Sequence, residues 1–285
     1  MRKAFTLIEF IFVIIIFGIL SAFGAELLYK VYENYVYSNT FNRLENQSES
    51  AVKQIANRLQ YRIKDSTVAR DDSTAASAAE PIGSNSGNEL VLEWLGTDID
   101  GWRGTLDTNT SGGGIIGPDW SGFIDLQSSS AAALSTPGTL YTNTYGAVFF
   151  IGSDVDLSSN FGWDATINNQ NAAIHPIQFN ATGQIVDANT TGSTDFSGID
   201  VYEYYQFTKS AYAVSLEGSD LVLYSGYTPW SGQRMTAGKR SVIMENVSTF
   251  QFTSMGDILV VQVCVTDNNV TGVGAYSICK EKVVF

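Results

Sequence analysis

The apolar pattern along this chain changes period twice. From Phe5 to Ala25 there are 21 residues, of which only Thr6, Glu9 and Ser21 are polar. At ~1.5 Å per residue a helix of that length spans roughly 30 Å, the thickness of a hydrocarbon core. Beyond it, Leu27, Leu28, Val31, Tyr35 and Val36, then Ala51, Val52, Ile55, Leu59 and Ile63, recur at three- and four-residue spacings, the mark of an amphipathic helix. No proline precedes Pro81, and no glycine falls between Gly24 and Gly83. The pattern predicts a nearly continuous helix over 5–65, on the order of 90 Å long, with 5–25 crossing a membrane.

Residues 66–88 are small, polar and punctuated by Gly and Pro, which predicts a linker. "ELVLEWLG" (89–96) alternates as a half-buried strand does. A polar stretch from Thr97 to Ser135 reads as decorated loop, and "TLYTNTYGAVFFIG" (139–152) returns to strand composition. From about Asp200, strand-like runs follow at short intervals: "VYEYYQFT", "AYAVSLEG", "DLVLYSGY", "SVIMENVSTFQFTS", "DILVVQVCVTD" and "AYSICKEKVVF". The expected fold is therefore α+β: a long N-terminal helix packed on a β-rich, mainly antiparallel head over 89–285.

Composition narrows the function. The net charge of -13, from 29 acidic and 16 basic residues, repels phosphates, so nucleic acid is not an expected partner. Cys264 and Cys279 are the only cysteines. In an exported chain an even count reads as one disulfide, the alternative being two buried thiols. His175 is the only histidine; it precedes Pro176 in an Asn-rich stretch and reads as a surface side chain. With no Walker loop, HExxH or GxSxG, no catalytic residue is expected.

Weaker signals are Asp98 and Asp100 in "DIDG", and Asp154 and Asp156 in "SDVD". Calcium is the cation these oxygens suit, but neither run completes a known loop, and solvated acids are the simpler reading. Asn109, Asn189 and Asn269 each stand in an Asn-x-Ser/Thr sequon with Asp two residues before, a pattern for glycosylation that chance also produces in so Asn-rich a chain.

Glu9 is the residue a plain anchor has no use for. A carboxylate in a bilayer is usually paired, and no Lys or Arg lies between Lys3 and Lys30. The expected partner is a cation from another helix or a new amino terminus. A cut after Ala4 would leave an ammonium on Phe5, four residues before Glu9.

The same stretch, "RKAFTLIEFIFVIIIFGIL", resembles the leader and first helix of type IV pilins and type II secretion pseudopilins. The family's Phe-Thr-Leu-Ile-Glu pattern stands here as Phe5, Thr6, Leu7, Ile8 and Glu9. The resemblance implies a leader of residues 1–4 with basic Arg2 and Lys3, cleavage between Ala4 and Phe5 by a prepilin peptidase, and methylation of the Phe5 amine. It also implies storage in the inner membrane, N-terminus cytoplasmic and head periplasmic. Glu9 then draws the subunit into a filament among other subunits. Ala4 replaces the family's usual Gly, and the mid-membrane proline of many major pilins is absent, which points to a minor subunit. "DLVLY" (220–224), "MENVSTFQF" (244–252) and the closing hairpin, with Cys264 and Cys279 on its two strands, resemble the PilW-like minor pilins and GspJ-like pseudopilins. Related pseudopilins hold calcium in their heads. Two other readings stay open: a membrane-anchored binding protein or adhesin on a plain tether, and a signal peptide cut near "SAFGA" (21–25).

Overall fold

A computed structural model describes residues 7–71, 78–82, 89–99, 122–139, 141–153, 161–163, 173–188, 195–266 and 277–285. One helix, α1 (Leu7–Leu59, 53 residues), leads the chain. Fourteen strands follow among the described residues. The first eight are β1 (Val68–Arg70), β2 (Glu80–Pro81), β3 (Val91–Thr97), β4 (Asp125–Ser130), β5 (Ala133–Ser135), β6 (Thr144–Phe150), β7 (Ile174–Phe179) and β8 (Ile185–Asp187). The rest are β9 (Tyr205–Glu217), β10 (Asp220–Tyr227), β11 (Lys239–Met244), β12 (Val247–Met255), β13 (Ile258–Thr266) and β14 (Ser277–Val284). Every pairing between them is antiparallel. The fold is α+β.

The strands form an eleven-stranded sheet and a three-stranded sheet ordered β12-β13-β14. β9 is the spine of the large one. Along one edge it pairs with β3, and along the other with β10 and then β6. The chain leaves this spine at Asp98 and returns at Phe207, where the Asp98 N–H donates to the Phe207 carbonyl at 2.8 Å. β4 to β8 thus belong to an excursion between two neighbouring strands. A separate apolar cluster built on Phe150, Ile177, Phe179, Tyr205 and Phe207 fills it.

The helix divides by burial. From Leu7 to Tyr35 every position is exposed, whereas Leu44, Ser48, Ala51, Val52, Ile55, Ala56 and Leu59 are buried. That stripe recurs every three or four residues, so it occupies one face. It shares a core with Val261, Val263, Val265 and Ile278 of the small sheet and Leu92, Trp94 and Leu221 of the large one. Small residues at Ser48, Ala51 and Ala56 let the helix backbone approach closely.

Several expectations are corrected. The helix ends at Leu59 rather than near 65. The Leu59 carbonyl accepts both the Arg62 N–H (3.1 Å) and the Arg62 guanidinium (2.9 Å), and Ile63 then donates to Leu95 in strand fashion at 2.9 Å. The 66–88 stretch is not simply a linker: Val68, Ala69 and Arg70 form a buried strand beside β3. β3 is buried on both faces, because Leu92 and Trp94 face the helix core and Val91 and Leu95 a second core. "VYEYYQFT" and "AYAVSLEG" lie on one continuous 13-residue strand, β9. β4 and β5 close the stretch read as loop.

Candidate functional site

The structure offers two regions with functional potential: the exposed half of α1 and the seam that fixes its other half to the head. Glu9 lies in the first turn of α1. Around and beyond it, Phe10, Phe12, Ile14, Ile16, Phe17 and Leu20 are exposed on every side of the helix. One helix near the N-terminus is long and apolar enough to cross a membrane. The exposed apolar surface continues past Ala25 through Leu27, Leu28, Val31, Tyr32 and Tyr35. From Leu7 to Tyr35 the helix rises about 42 Å, longer than a hydrocarbon core of about 30 Å. Arg2, Lys3, Ala4 and Phe5 lie outside the described residues.

The seam is held by an ionic comb as well as by the core. Lys280 Nζ lies 2.6 Å from Glu45 Oε1. Glu49, one turn further along α1, pairs with Lys53 at 2.6 Å and lies in the field of Lys280 and Lys282. The hydrogen bond to Glu45 raises the Lys280 pKa above the usual lysine value, opposed by burial and reinforced by the charges of Glu45 and Glu49. On the opposite face of the small sheet, Cys264 and Cys279 are disulfide-bonded and directly paired across β13 and β14. The expected clamp on the closing hairpin is present.

At the far end of α1, Arg62 ties the helix to the β12–β13 turn by donating to the Asp257 carbonyl at 2.7 Å. Lys64 pairs with the Asp257 carboxylate at 3.3 Å. These residues and Asp65 line a cavity of about 480 Å³. Burial pushes the Asp65 carboxyl up, reinforced by Asp257 and opposed by Lys64. The charges answer one another, so the cavity presents no single sign to a ligand.

A buried polar knot sits behind β3. Arg70 Nε donates to Glu93 Oε1 at 2.8 Å, with both side chains 1% exposed. The Tyr227 hydroxyl donates to the other Glu93 oxygen at 2.9 Å, and Arg70 also donates to the Trp163 carbonyl at 2.7 Å. Burial raises the Glu93 pKa, with Arg70 and Tyr227 opposing. Burial, then Glu93, holds Tyr227 well above the ordinary phenol value. Every oxygen and guanidinium edge named here is used within the fold, so the knot reads as structural.

The other predicted positions separate. The Asp98 carboxylate is bound by the Lys209 ammonium, which also lies 4.8 Å from the Tyr141 ring centre. Asp98, read from the sequence as a solvated loop acid with calcium as the weaker alternative, thus has lysine as its counter-charge. Asp100, Asp154, Asp156, Asn109, Asn189 and Asn269 lie outside the described residues. Among the described residues no three His, Cys, Asp or Glu side chains converge to hold a metal. His175 is corrected: it is 3% exposed on β7 and packs on Phe150, ring centres 5.0 Å apart. Trp94, Trp163 and Trp230 are core residues, while Trp102 and Trp120 lie outside the described residues.

The sequence reading missed the Glu45–Lys280 comb and the Arg70–Glu93 knot. The signals were present as periodicities, Glu45 and Glu49 at helical spacing and Lys280 and Lys282 at strand spacing, but their meeting depends on which strand lies beside α1. Between Asp98 and Tyr204 the sequence holds twelve acidic residues and a single basic one, Arg103. That excursion therefore carries most of the net negative charge. Compared with protein-family models, curated proteins and solved structures, the chain matches none.

Proposed function

We propose that this chain is a minor subunit of a type IV pilus or a type II secretion pseudopilus. In this reading it is stored in the inner membrane by α1, N-terminus cytoplasmic and head periplasmic. It is cut before Phe5 by a prepilin peptidase, methylated there, and assembled with other subunits through the same helix. The observation that carries the reading is one uninterrupted helix with two surfaces. Its first part is apolar on all faces and bears a single acid near its start, and its last part is locked into the head. A plain tether has no use for the acid, nor for the exposed apolar side chains that continue past the span through Leu27, Leu28, Val31, Tyr32 and Tyr35.

The chemistry follows from the cost of charge in a bilayer. Glu9 is expensive there unless a cation meets it, and the Phe5 ammonium released by cleavage is such a cation, on the same helix or on a neighbour in staggered register. Pairing between neighbours ties entry into the filament to processing. The exposed Leu27–Tyr35 surface, too far along to be covered by the same hydrocarbon slab, is then covered by adjacent helices. The core contact of Leu44–Leu59 transmits load from that helix bundle to the head.

Replacing Glu9 with Val tests the role of the acid. The variant is expected to stay in the membrane at wild-type level while its content in sheared filaments drops by about tenfold or more, as losing a buried ionic partner predicts. Unchanged filament content overturns the role given to Glu9.

A further inference from the structure

The apolar surface of α1 does not end at one level. Glu26, Lys30, Glu33 and Asn34 each stand about five turns before Leu44, Ser48, Ala51 and Val52, which are buried against the head. They therefore lie on the head-bearing side, and that side turns polar at Glu26, which pairs with Lys30 at 2.8 Å. Leu28, Val31, Tyr32 and Tyr35 fall on the other side and are all more than half exposed. Beyond Tyr35 that side turns to Asn39, Asn42 and Asn46, also exposed.

The end of the apolar surface is thus oblique to the helix axis. Val31 is the last exposed aliphatic side chain of α1. From Glu26 to Val31 the helix rises about 7.5 Å across a width of about 11 Å, an inclination of about 35°. Length gives the same angle independently. The side from Leu7 to Val31 is about 36 Å long and matches a hydrocarbon core of about 30 Å when the helix tilts by about 35°. An upright helix would leave the core near Ala25, with Leu28 and Val31 in water until neighbours covered them.

The order of side chains identifies what covers this side before assembly. Aliphatic Leu28 and Val31, then Tyr32 and Tyr35, then Asn39, Asn42 and Asn46 follow the sequence hydrocarbon, headgroup, water. A partner helix seated there would meet apolar side chains past Tyr35 as well. Helical side chains lean toward the N-terminus, so the two tyrosine rings reach back toward the bilayer.

We propose that the stored subunit leans by about 35° in the membrane, the side of α1 away from the head lying on lipid. Leu28 and Val31 enter the hydrocarbon, Tyr32 and Tyr35 lie among glycerophospholipid headgroups, and Glu26, Lys30 and Glu33 stay in water on the upper side. The head, fixed to that upper side from Leu44 onward, is carried clear of the bilayer. On assembly the same surface passes from lipid to the adjacent helices. This orientation rests on the reading of α1 as a membrane helix given above, and needs neither cleavage before Phe5 nor a filament.

The test uses the uncut full-length chain at low density in vesicles of phosphatidylethanolamine and phosphatidylglycerol. One nitroxide is attached at Glu26→Cys or at Leu28→Cys; the native cysteines are bonded to each other. Collision with oxygen and with a nickel chelate reads the depth of each label. Leaning places the Leu28 label about 5 Å deeper than the Glu26 label, although it stands further along the helix, whereas an upright helix places it about 3 Å shallower. Replacing Tyr32 and Tyr35 with Ser is expected to remove most of that difference. Three results overturn the proposal: a Leu28 label shallower than the Glu26 label, a Leu28 label closed to both oxygen and chelate as it would be beneath a partner helix, or a difference that survives loss of both tyrosines. The filament reading is decided by the N-terminus of the native protein, so either can fail alone.

Discussion

Lys280 and Glu45 meet at 2.6 Å across the seam between the last strand and the N-terminal helix. The contact joins positions 235 residues apart, so it reports directly on whether α1 is seated. Both partners are about one-third exposed, and such pairs contribute little stability. The apolar stripe beneath them does the holding.

The first prediction separates the two. Lys280→Ala is expected to shift the thermal midpoint only slightly, and a Glu45→Lys, Lys280→Glu exchange to restore it. Ile55→Ala, at a side chain 1% exposed, is expected to cost roughly 2–5 kcal/mol. Urea unfolding of the full chain in micelles, followed by tryptophan fluorescence, gives both values.

The buried knot yields the second. Glu93→Gln leaves the Arg70 guanidinium buried without its counter-charge and is expected to destabilise by roughly 3–5 kcal/mol. Replacing both with Met and Leu, which removes the stranded charge, is expected to cost less than either single change. A double-mutant cycle with a coupling near zero would contradict the account.

How far this could be read in advance depended on what each segment packs against. α1, the bonded pair Cys264–Cys279 and the β10, β13 and β14 strands follow from local periodicity and composition, which the final packing reinforces. β1 does not: nothing in "STVARDD" marks Arg70 as interior until Glu93 arrives from 23 residues away to neutralise it. The same ion pair hides β3, since Glu93 made a doubly buried strand look half-solvated. His175 looked exposed because its neighbours are polar, yet β6 and β9 bring Phe150 over it. "VYEYYQFT" and "AYAVSLEG" read as separate runs because polar Lys209 and Ser210 part them, at the point where β9 changes partner from β6 to β10.

The third prediction concerns alkaline pH. Burial pushes the Tyr205 pKa up to about 12 from 10.0, and Tyr227 moves in the same direction. A phenol whose folded pKa is raised contributes stability that is whole below its unfolded value and is lost as pH rises through the folded one. Stability is therefore expected to fall between pH 10 and about 12, Tyr205 alone accounting for about 3 kcal/mol. Spectrophotometric titration at the tyrosinate band should show a late class of phenols that ionises only as the head unfolds.

The fourth concerns the disulfide, whose cysteines are 15 residues apart. Closing a loop of that size constrains the unfolded chain, so Cys264→Ser with Cys279→Ser is expected to cost about 3 kcal/mol. The fold is expected to survive, because β13 and β14 stay paired from Leu259–Val284 to Thr266–Ser277. Loss of the Lys280–Glu45 contact in the reduced protein would show that the bond also positions the helix seam.

The central claim, that α1 is a processed assembly helix, is tested most directly by intact mass and N-terminal sequencing of the protein from its native membrane. A chain that begins at N-methylated Phe5 is the predicted result. A chain that begins at Met1, or near Glu26 after removal of the apolar run, would contradict it.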